Sequence, residues 1–223
     1  IVYFLFFIVV VSRLIQHRIL FVGTVLASYY FTILVRYFGF PDPVSLVSTP
    51  AFTPLRFGIF MVPLTLLLLY CQGRGQKYLY FFSIMSALCF YYSFEIGVGI
   101  LAAAIAVAIV SRSVRNSAVL FGSLVLFGSV LTVYFFLRSG QIPDWGSYAF
   151  FSNMYGLGYL MLPIGNQTVV FLPTAISLFG ALFGLWRIVV KRDTAGYIVV
   201  YLAVINLVEM PYYMGRSIYP TLY

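Results

Sequence analysis

The chain has 223 residues, 63% of them hydrophobic and only 8% charged, where roughly 25% charged is usual in a soluble domain. A mean hydropathy of +1.03 excludes both a soluble polar-shelled fold and a disordered chain, and it implies an integral membrane protein, which the apolar runs below make all-α. The net charge of +8, from 13 Lys and Arg against 5 Asp and Glu, fits the basic bias of cytoplasmic loops. No basic run suited to a phosphate backbone is present, so no nucleic-acid partner is expected.

Apolar runs bounded by charge predict a polytopic helical bundle of about eight transmembrane helices, a single domain over 1–223. The first, Ile1–Val11, is half of a span that needs about 20 residues. It lacks an initiator Met, a charged n-region and a cleavage site, and the expectation is a truncated helix in a piece of a longer chain. Then come Ile19–Val35, Leu55–Cys71, Tyr78–Phe94, Ile96–Val110, Ala118–Leu137, Val169–Ile188 and Ala195–Met210. None alternates polar and apolar as barrel strands do. Tyr78 to Val110 reads as a hairpin, because only a hairpin keeps Arg74 and Lys77 on the same side as Arg112 and Arg115.

That choice puts Arg13, Arg18, Arg74, Lys77, Arg112, Arg115, Arg187, Lys191 and Arg192 inside, with Asp193. Outside lie Arg36, Arg56, Arg138 and Arg216, with Asp42, Glu95, Asp144 and Glu209. Inner connections are short, while the outer 36–54, an interfacial loop over 138–168 and a tail over 211–223 are long and rich in aromatic residues, Gly and Pro. Long ordered loops carry function more often than minimal turns, so the non-cytoplasmic face is the expected working face. The alanine-rich Ala102–Ala108 and the pair Gly180 and Gly184 are packing signals that allow close helix approach.

His17 is the sole histidine, so neither a histidine triad nor a zinc site of the common kind can be built. Cys71 and Cys89 sit in apolar runs and read as small buried hydrophobes. Glu95, in YYSFEIGVG, is either an ionisable group held for function or a carboxylate favoured at a helix N-terminus. Glu209 and Asn206 share a helix face just before Pro211, which is expected to end the helix. They suit either a ligand or a neighbouring helix. The outer arginines Arg56, Arg138 and Arg216 run against the topology bias, and each presents a fork suited to phosphate or carboxylate. Their alternative is pairing with the outer acids. Trp145 and Asp144 belong to an interfacial helix whose aromatics form a belt, or they stack on and hydrogen-bond a sugar ring. Asn166-Gln167-Thr168 is a formal glycosylation sequon.

Three patterns in order, TPLRFGIFMVPL from Thr53, YYSFEIGVGILAAA, and PYYMGRSIYP from Pro211 to Pro220, resemble the C-type (GT-C) membrane glycosyltransferases of bacteria. The resemblance implies sugar transfer from a polyprenyl-phosphate donor on the non-cytoplasmic side of the inner membrane. It implies membrane lipids and the lipid-linked sugar as partners. Arg216, Arg56 and Arg138 would hold the lipid phosphate, and Glu95 and Glu209 would contact sugar hydroxyls or orient those arginines. The family's catalytic acidic pair is not in this sequence, so no catalytic residue is assigned. No cofactor is evident, although the resemblance leaves room for a divalent Mg or Mn in a full-length protein. The alternative is a non-catalytic structural or accessory subunit packed against other membrane subunits.

Overall fold

A computed structural model describes residues 8–12, 17–34, 59–111, 113–142, 144, 146–147, 150 and 168–215. Every regular element among them is helical. A short helical stretch at 8–12 precedes α1 (Arg18–Leu34), α2 (Met61–Cys71), α3 (Lys77–Tyr92), α4 (Phe94–Val110), α5 (Val114–Ser139), α6 (Thr168–Val189) and α7 (Ala195–Gly215).

The helix boundaries follow local chemistry. Pro63 lies in the first turn of α2, where a missing N–H costs nothing. The helix starts at Met61, after a turn at 59–60, and residues 55–58 of the predicted span lie outside the described residues. Between α3 and α4 the hairpin expected from charge is present. Ser93 takes an extended conformation (φ −146°, ψ 105°) between two helices, and a Cβ at Gly97 would strike the backbone of Phe90, so only glycine lets the two arms close. Ser113 caps α5 by accepting from the Asn116 amide at 3.4 Å, and Gly140 at φ 70° ends it in the left-handed conformation. One prediction fails: Pro211 does not terminate the last helix, which continues to Gly215. A proline forfeits one backbone hydrogen bond, a loss that apolar helices with close neighbours tolerate.

Four helices form a ring in which α2 packs on α3, α3 on α4, α4 on α7 and α7 on α2. Tyr201 of α7 fills its centre with no exposed surface, edge-on to Phe82 at 5.6 Å. Its hydroxyl donates to the Phe60 carbonyl at 3.4 Å. The alanine-rich α4 buries Ala103, Ala104, Val107 and Ala108, and these small side chains let three neighbours approach it. Outside the ring, α5 lies against α3 and α4, and α6 lies against α7. Among the described residues one helix, α5, is long and apolar enough, by length and composition, to cross a membrane. Only 11% of its apolar window is buried, so residues such as Val125, Leu126 and Leu137 face outward.

Hydrogen bonds tie the helix ends at one end of the bundle. Gln76 Nε2 donates to Asn116 Oδ1 at 2.9 Å, and Asn116 Nδ2 donates to the Tyr70 hydroxyl at 2.7 Å. Ser117 Oγ donates to the Ala108 carbonyl at 2.7 Å. The Cys71 thiol donates to the Thr194 carbonyl at 3.1 Å, and the Thr194 hydroxyl returns a bond to the Cys71 carbonyl at 3.2 Å. These contacts gather the turns at 72–76 and 190–194 and the helix ends at Ser111 and Ser113, and with them Arg74, Lys77, Arg115, Arg187, Lys191 and Arg192, at a single end. The α3–α4 turn and the C-termini of α5 and α7 lie at the other.

Candidate functional site

The end away from the basic turns holds the sequence-derived candidates that fall within the described residues. Glu209 is the most unusual of them. It sits on α7 with 3% of its surface exposed, and its Oε1 has no hydrogen-bond partner among the described residues. The carboxylate occupies the space above Gly99 of α4, where an added Cβ would lie 2.5 Å from Oε1. Burying a carboxylate without a cation costs several kcal/mol, and a buried polar atom left unmatched in a native fold calls for a reason.

Asn206 takes a different partner. Its Nδ2 donates to Ser177 Oγ of α6 at 2.5 Å, so of the two readings open for that residue the helix-bridging one describes it. The face shared by Asn206 and Glu209 thus divides between two neighbours, α6 and α4. Glu95 stands in the first turn of α4, one helical turn before Gly99 and on the same side of the helix backbone; its side chain lies outside the described residues.

Arg138 is exposed in the last turn of α5, where a cation suits the helix C-terminus, and Nη1 donates to the Tyr134 hydroxyl at 3.2 Å. Asp144 is exposed beyond that helix. Its carboxylate accepts from the Ser147 hydroxyl at 2.6 Å and the Ser147 amide at 3.1 Å, and these bonds hold it below the usual carboxylate range. Its partners are therefore local ones. Arg56, Arg216 and Trp145 lie outside the described residues, as do Arg36, Asp42, Tyr148, Phe151 and the side chains of the sequon. The structure accordingly brings Glu209 and the Glu95 segment of α4 together, and it leaves Arg138 and Asp144 engaged with residues of their own segments.

Two residues that hold this arrangement were not singled out from the sequence. Ser177 accepts the Asn206 hydrogen bond on α6, and Gly99 provides the space for Glu209. For Gly99 a signal existed: a glycine one turn after an acidic residue in an otherwise apolar helix marks a close approach of some other group. Among the described residues no three His, Cys, Asp or Glu side chains gather as metal ligands would, so no residue here is assigned to the Mg or Mn that the family resemblance allows. Comparison of this chain with protein-family models, curated proteins and solved structures gives no match.

Proposed function

We propose that the chain is a multi-pass bundle embedded in a membrane, with about eight spans and its basic turns on the cytoplasmic side. The exposure of α5 supports this. The core helix of a soluble protein is mostly buried, and a signal sequence lies near the start of a chain, whereas α5 is mid-chain and nearly bare. The segregation of the described cations supports it as well, since the cations of α2 to α7 and their turns lie at one end, Arg138 excepted, in keeping with the positive-inside bias.

The working end is then the non-cytoplasmic one, and its function is transfer of a sugar from a polyprenyl-phosphate donor in the manner of the GT-C enzymes. The single observation that carries this reading is the unmatched Oε1 of Glu209, a buried acceptor beside the segment that bears Glu95. In this reading Glu209 accepts from sugar hydroxyls or from a guanidinium. Arg216, the next residue after α7 in the sequence, binds the donor phosphate together with Arg56 and Arg138. Those guanidinium groups stabilise the charge that develops as the phosphate departs. A polyprenyl-phosphate analogue should bind the wild-type chain and lose about tenfold or more in affinity with Arg216→Ala or Glu209→Gln, in keeping with a charge-assisted hydrogen bond. Unchanged affinity in both variants overturns the assignment.

A second reading, an accessory subunit without catalysis, is favoured by one observation. Arg138, Asp144 and Asn206 already have partners within the chain. Its signature is stable co-purification with partner subunits through the outward face of α5, with no binding of the lipid analogue.

A further inference from the structure

The opposite end carries a charge pattern that the sugar-transfer reading does not use. At the α6–α7 corner, Phe183 and Trp186 stack at 5.7 Å. Lys191 Nζ lies 5.2 Å from the Trp186 ring centroid, and the Arg187 guanidinium lies 5.8 Å from that of Phe183. Asp193, the one acid of this corner, is fully engaged. One carboxylate oxygen accepts from the Ala195 amide at 2.9 Å and caps α7, and the other pairs with Arg187. Lys191 and Arg192 are exposed and pair with no carboxylate among the described residues. Arg192 is moreover the one non-glycine residue among them with a left-handed backbone, at φ 56°, a conformation that residues with a side chain rarely adopt. Arg74, Lys77 and Arg115 are exposed at the same end, Lys77 with its ammonium 5.4 Å from the Tyr78 ring.

We propose that this corner, Trp186 with Lys191 and Arg192, is a seat for the phosphate headgroup of an anionic phospholipid, continued around the bundle by the other cations of that end. Three features specify such a ligand. Cations without carboxylate partners attract a phosphate. The aromatic rings beside them are the side chains that occupy the depth of lipid headgroups. Exposed Leu182, Phe183 and Val189 on α6 continue the corner as an apolar wall along which acyl chains lie, a feature that free phosphate would not need. The inference rests on the membrane reading and is independent of sugar transfer.

The test uses the chain's two tryptophans. With Trp145→Phe leaving Trp186 as the sole indole, the protein is reconstituted in phosphatidylcholine vesicles that contain brominated phosphatidylglycerol or brominated phosphatidylcholine, and Trp186 quenching is titrated. Quenching should favour phosphatidylglycerol. That preference should fall about 25-fold in Lys191→Gln/Arg192→Asn, about fivefold per cation removed, and persist in the charge-keeping Lys191→Arg/Arg192→Lys. Asn accepts the left-handed backbone at position 192, so the loss does not reflect a misfolded corner. Equal quenching by the two lipids, or a preference that survives removal of both charges, overturns the proposal. Loss of the preference in excess inorganic phosphate, at matched ionic strength, overturns it in favour of a free anion. A chain that enters no vesicle at all overturns the membrane reading and this inference with it.

Discussion

Gly99 is the residue on which the candidate site turns, because the carboxylate of Glu209 occupies the position its side chain would take. Gly99→Ala should lower stability by about 1–3 kcal/mol, the usual cost of overpacking, read as a lower unfolding midpoint in detergent. Adding Glu209→Ala to Gly99→Ala should restore most of that loss, since the residue that meets the new methyl is then gone. No recovery in the double variant would mean that the strain lies elsewhere.

At the other end, Asp193 is held below the usual carboxylate range first by the Ala195 amide and then by Arg187. Its folded-state pKa is depressed, so its contribution to stability is present above the unfolded value of about 3.9 and is lost as pH falls through the folded value. Asp193→Asn should therefore flatten the acid limb of the stability profile below about pH 4 and leave its shape near neutrality unchanged. The check is a denaturation series across pH. Glu209 could be singled out from the sequence as an acid in an apolar run. Its pairing with Gly99, and the diversion of Asn206 to Ser177, could not, because residues three apart on a helix face share a side while the neighbouring helix they meet is set by packing.

Between elements, contact of α6 with α7 depends on absent side chains. At Gly184 a Cβ would lie 2.8 Å from Val200 Cγ2 and 3.0 Å from the Gly196 carbonyl, whereas at Gly180 the nearest atom, Ala203 Cβ, is at 3.6 Å. In lipid, helix association relies on such close packing rather than on apolar burial. Gly184→Ala should cost about 1–3 kcal/mol, while Gly180→Ala should be near neutral, measured by unfolding midpoints of the two variants side by side. Equal effects would contradict the interface described here. The sequence marked both glycines equally, and only the register of α7 against α6 separates them. The α3–α4 hairpin, by contrast, was legible from Arg74, Lys77, Arg112 and Arg115, because charge constrains which helix ends lie together. The course of α7 through Pro211 was not legible, since the rule that proline stops a helix weighs the lost hydrogen bond without the neighbours that offset it.

For the molecule as a whole, the helical fold of the described residues followed from apolar runs that do not alternate, and the gathering of basic turns at one end followed from their spacing. Both features belong to a bundle whose two ends differ in chemistry: most of the described cations at one, and at the other the buried Glu209, whose Oε1 has no hydrogen-bond partner among the described residues. An apolar α5 exposed along most of its length is what the proposed lipid setting would accommodate. The account therefore depends on a membrane lying between the two ends. The most direct test replaces Cys71 and Cys89, both free, with alanine and places single cysteines at Gln141, just past α5, and at Arg192. Labelled with a membrane-impermeant maleimide in intact cells, Gln141→Cys should react at once and Arg192→Cys only after permeabilisation. Labelling of both positions without permeabilisation, or of neither, would contradict the account.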